Sequence, residues 1–168
     1  MDITRMFTTS SPYIHIASCS EEILQQIEGL KNEETFVAKV NGNHTGNQKK
    51  LYKEFAEQFH FPDYFSWNLN SFDEMINDLD WINKNSYIII IYNSDRILGA
   101  DFLMSKSFKH AFWEVFFESI LEWNIGRNYD DFATAPTPFH VVLLTCEVHK
   151  QKLAQRISGM TGLDVNIM

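Results

Sequence analysis

The chain has 168 residues, enough for one domain with a sizeable core. Hydrophobic residues make up 45% of it, with 14 Phe and 4 Trp, which excludes a disordered chain. A formal net charge of −8 argues against a nucleic-acid binder, whose affinity comes from Lys and Arg, and suits a protein that meets a basic partner.

Tyr13–Ser18 alternates apolar and polar residues and predicts a short strand. Ser20 reads as the N-cap of a helix carrying Ile23, Ile27 and Leu30 at helical spacing. Thr35–Val40 predicts a second strand, ended by a turn in NGNHTGN. Asn47–Phe59 predicts a helix whose buried stripe is Leu51, Phe55 and Phe59. An aromatic loop follows, and Asn70 is placed to cap a helix running to about Ile82, with Phe72, Met75, Ile76 and Leu79 facing the core. Tyr87–Tyr92 is a continuous apolar run, as in a parallel strand buried on both faces. Ser105–Trp123 predicts a long helix lined by Phe108, Phe112, Val115, Phe116, Ile120 and Trp123, with Gly126 as its stop. Phe139–Leu144 predicts another buried strand, Glu147–Ser158 a helix, and Leu163–Ile167 an edge strand. Strands alternating with helices predict a single α/β domain with a mainly parallel sheet.

The opening residues lack the apolar core of a signal peptide, and no run reaches membrane-spanning length, so a cytoplasmic protein is expected. The two cysteines, Cys19 and Cys146, lie far apart in sequence and outside any CxxC pattern, so they are expected to be reduced. Cys146, His149 and His140 have a faint metal-like spacing, too sparse to predict a site. No nucleophile elbow, phosphate loop or metalloprotease motif is present, and neither enzymatic activity nor a cofactor is predicted.

The segment Phe61–Asn83 holds Asp63, Asp73, Glu74, Asp78 and Asp80 and no Lys or Arg. With the apolar stripe turned inward, Asp73, Glu74, Asn77, Asp78 and Trp81 fall on the opposite side of the predicted helix. Like charges so close disfavour folding unless a basic surface uses them. The ordinary alternative is that Asp73 and Glu74, in the first turn, simply complement the helix dipole.

Pro62, Tyr64, Phe65, Asn68, Asn70, Ser71 and Glu74, set between one strand and helix and a later buried strand, resemble the pattern of the barstar family. The resemblance covers about residues 35–146, leaving residues 1–34 and 147–168 as terminal extensions of a single domain. It implies a small, mainly parallel sheet packed by helices. It also implies an intracellular inhibitor, an immunity protein that blocks a basic secreted ribonuclease toxin with an acidic helix and loop. By the resemblance, Tyr64, Phe65, Trp67 and Asn68 are loop contacts, Asn70, Asp73, Glu74, Asn77 and Asp78 are helix contacts, and Glu118 and Glu122 are further acids on the long helix. Ser66 stands where the family usually has glycine, Asn70 where it has Asp, and Glu74 is one methylene longer than the usual Asp. The alternative reading is a barstar-fold interaction module whose basic partner is not a nuclease.

Overall fold

The structure, a computed structural model, describes residues 3–99, 106–129 and 132–168. Five strands form one wholly parallel sheet: β1 (Ile14–Ser18), β2 (Thr35–Asn41), β3 (Ser86–Tyr92), β6 (Phe139–Thr145) and β7 (Val165–Ile167), in the order β2-β3-β6-β1-β7. β4 (Arg127–Tyr129) and β5 (Phe132–Thr134) form a separate short antiparallel pair that has no counterpart in the sequence prediction. The helices are α1 (Glu21–Glu28), α2 (Gln48–Phe59), α3 (Leu69–Asp78), α4 (Ser94–Gly99), α5 (Lys106–Ile125) and α6 (Lys150–Thr161). The predicted start of the long helix at Ser105 lies outside the described residues.

Alternation along the strands builds two cores. Ile89, Ile91, Val141, Leu143, Ile14 and Ile16 face α2, α3, α5 and α6, whereas Ile88, Ile90, Val142, Leu144 and Ala17 face Ile27 of α1 and Met6 of an N-terminal 3-10 turn. β3 and β6 are therefore covered on both faces, which is why they read as unbroken apolar runs. The first core is dominated by aromatic edge-to-face contacts, with Phe55 touching Phe72, Phe112 and Phe116. The inner face of α5 is wider than predicted, since Trp113, Phe117, Ser119 and Asn124 are buried as well.

Residues 1–34 supply β1, which is inserted between β6 and the C-terminal β7, so both extensions complete the same sheet as the central strands. At the other edge, the Lys39 and Asn41 amides donate to the side chains of Gln58 (3.2 Å) and Glu54 (2.8 Å), so α2 closes part of the β2 edge. A hydrogen-bonded chain crosses the second core. The His140 Nε2–H donates to the Thr8 carbonyl at 2.7 Å, leaving Nδ1 to accept from His15 Nε2–H at 3.0 Å. His15 Nδ1 in turn accepts from the Asn166 amide at 3.2 Å. One fixed carbonyl thus determines both tautomers, and both rings are neutral.

Candidate functional site

The loop before α3 is held from within. The Phe65 amide donates to the Pro62 carbonyl at 3.0 Å, closing a turn, and the Phe65 ring is buried against Tyr52 and Phe61. Phe65 therefore anchors the loop, while Tyr64 (64% exposed) and Trp67 (52% exposed) stand outside it. Trp67 has a left-handed backbone (φ 57°), a conformation that favours glycine, whereas Ser66 at the family's usual glycine position does not.

The cap of α3 is Asn68 and not Asn70. The Asn68 side-chain oxygen accepts from the Ser71 amide at 2.9 Å, and the Ser71 hydroxyl accepts from the Ser66 amide at 3.0 Å. Starting the helix at Leu69 puts Asp73 and Glu74 in its second turn, beyond most of the dipole's reach, so the dipole does not account for them. The helix also ends earlier than predicted, at Asp78, with Leu79 left-handed (φ 51°). Trp81 accordingly lies outside the helix, its indole donating to the Phe59 carbonyl at 2.8 Å.

Within the helix the polar residues divide into two rows. Asn70, Glu74 and Asp78, spaced four apart, are exposed and form an outward stripe. Asp73 and Asn77 are half-buried in the seam with α5. There the Asn77 amide donates to Asp73 (2.7 Å) and to the Ser119 hydroxyl (3.1 Å). Arg127 of β4 closes the seam, with Nη1 donating to the Asn77 carbonyl at 2.7 Å, Nη2 to the Asn77 side-chain oxygen, and Nε pairing with Glu122 at 2.9 Å. Its guanidinium lies 5.2 Å from the Trp123 ring centre. Burial, then the charge of Glu122, pushes the Asp73 carboxyl above the usual range, against the hydrogen bonds and Arg127 that pull it down. Partial burial and neighbouring Asp80 also raise Asp78.

The expected contacts therefore separate. Tyr64 and Trp67 of the loop and Asn70, Glu74 and Asp78 of the helix are exposed, and Asn68 is committed as the cap. Asp73, Asn77 and Glu122 belong to the seam, and exposed Glu118 lies further round α5, on a groove with Met160 and Leu163 of the C-terminal segment. Sequence reasoning missed Arg127 and Ser119. Ser119 carried a usable signal, a polar residue at a buried register of an aromatic helix. His140 is turned into the second core and His149 lies 3.6 Å from Asp95, so the spaced Cys146 and histidines do not converge. Among the described residues no group of three or more His, Cys, Asp or Glu is placed to hold a metal, and no helix is long and apolar enough to cross a membrane.

A family profile described as Barstar (barnase inhibitor) matches residues 35–143. The chain belongs to the Barstar family. The match begins at β2 and ends within β6, so it contains the loop, α3 and α5, whereas β1, α1, α6 and β7 lie outside it. No curated protein is similar enough to the chain to count as a relative. Among solved structures, the Aeropyrum pernix ORC2 protein in its ADPNP–ADP complexes is similar at a TM-score of 0.55 with 10% identity, over 99% of this chain. This chain spans 44% of that one, and the likeness concerns the fold alone. The Barstar family is an inhibitor family, and its architecture here is an α/β fold with a parallel sheet packed by helices.

Proposed function

We propose that this chain inhibits a basic, barnase-type ribonuclease by laying the outward stripe of α3 and the tip of the preceding loop over the enzyme's active site. It would act as a cytoplasmic immunity protein against a secreted toxin, without catalysing a reaction itself. The observation that carries the reading is the exposed row Asn70, Glu74 and Asp78 beside exposed Tyr64 and Trp67, within the part of the chain that matches the family. A ribonuclease cleft is a focused positive field because its substrate is an anion. An acidic helix carries the complementary field, which speeds encounter and fixes register. The net charge of −8 adds to the long-range attraction. Aromatic side chains at the rim supply apolar contact where the charges are sparse.

Glu74, central in the stripe, provides the test. Glu74→Ala should weaken inhibition of the cognate ribonuclease tens- to thousands-fold, mainly through faster dissociation, because it leaves enzyme cations unpaired at about 2–5 kcal/mol. Its thermal unfolding should match that of wild type, since Glu74 is exposed. Equal inhibition by variant and wild type would remove α3 as the binding surface. Failure of the wild type to inhibit basic ribonucleases would leave the interaction-module reading.

A further inference from the structure

We infer that Cys19 and Cys146 are a disulfide-forming pair, two free thiols that oxidation joins within one chain. β1 and β6 are paired in parallel up to Ser18 and Thr145, and each cysteine is the residue immediately after its strand, in the same register. The last bond of the ladder reaches Cys19 itself, whose amide donates to the Thr145 carbonyl at 2.9 Å, and the backbone at Cys146 is still extended. One residue to either side, the Ser18 hydroxyl donates to the Glu147 carboxylate, so the two strand ends are tied together by both backbone and side chain. Residues opposite each other on neighbouring strands lie about 4.8 Å apart and point to the same face. That spacing falls inside the Cα separation of about 4.4–6.8 Å that a disulfide requires. Both thiols are exposed, so an oxidant in solvent reaches them.

The reaction needs a small-molecule disulfide such as oxidised glutathione. The thiolate of one cysteine attacks a sulfur of the oxidant, forming a mixed disulfide and expelling one small thiol. The second cysteine, as thiolate, attacks the protein sulfur of that mixed disulfide and expels the second small thiol. The protein loses two electrons and two protons, and the oxidant is reduced to two thiols. The product joins a strand outside the family match to β6, at the carboxyl end of the sheet. The inference does not depend on what binds α3.

The full reduced chain, held dilute, is incubated with excess oxidised glutathione, quenched in acid, and analysed by intact mass and peptide mapping. The wild type should end two hydrogens lighter than its reduced mass, with the Cys19 and Cys146 peptides linked and released by dithiothreitol. Cys19→Ser and Cys146→Ser should each stop at a single glutathione adduct. A wild-type chain that keeps two free thiols, keeps two adducts, or links to a second chain overturns the inference.

Discussion

At Trp67 and at His15 a single side chain stands in an unusual place for an identifiable reason. Trp67 is half exposed on a left-handed backbone, where glycine fits better. Trp67→Gly removes the steric conflict but adds freedom to the unfolded chain, so stability should stay within about 1 kcal/mol of wild type. Ribonuclease inhibition should weaken, and measuring unfolding and inhibition on the same preparation separates the two. His15 is buried in the second core, where burial first, then repulsion of its protonated form by His140 and Arg5, lower its pKa to about 4 from 6.5. Burial lowers His140 as well, against its bond to the Thr8 carbonyl. The unfolded chain therefore takes up protons at higher pH than the folded one. This contribution to stability is complete above pH 6.5 and is lost as pH falls toward about 4, amounting for His15 to about 3 kcal/mol. Asp73 and Asp78, whose carboxyls are raised, act with the opposite sign over the acid range. The comparison should therefore be internal: denaturant midpoints at pH 7 and pH 4.5 should differ more for wild type than for His15→Gln.

Among the elements, α3 depends on its two ends. Asn68→Ala deletes the cap and should cost about 1 kcal/mol, while Asn68→Asp should retain most of it, as read by denaturant titration. Any loss of inhibition in Asn68→Ala should follow the loss of helix order, unlike that in Glu74→Ala. At the other end, Arg127→Ala removes two donors to Asn77 and leaves Glu122 beside Asp73, so it should destabilise by about 1–3 kcal/mol. Arg127→Lys should not restore the loss, because a lysine cannot reproduce the guanidinium fork. The limits of sequence reasoning are visible in this element. Phe72, Met75, Ile76 and Leu79 set the buried face correctly because the 3.6-residue period is strong. The start was misplaced because Asn68 and Asn70 are equally good caps in isolation, and the choice is made by the bond between Ser71 and Ser66. Arg127 was invisible because nothing local to it points toward a helix fifty residues earlier in the chain. The strands were legible for the opposite reason: Ile88–Ile91 is apolar on both faces whatever its partners.

For the molecule as a whole, the family match and the folding unit have different extents. A fragment restricted to residues 35–143 would lose β1 and α1, uncovering Ile88, Ile90 and Val142. Such a fragment should aggregate or unfold without a cooperative transition, whereas the full chain should melt in one step by calorimetry. The place of β1 has a further consequence, in time instead of energy. Its partners are β6 and β7, so the first strand of this sheet to be made pairs only with the last two. At typical elongation rates of about 5–20 residues per second, β1 waits on the order of ten seconds before either neighbour exists. The sheet therefore closes only once β6 and β7 have been made, and until then β1 is an unpaired strand that the nascent chain must keep from other partners.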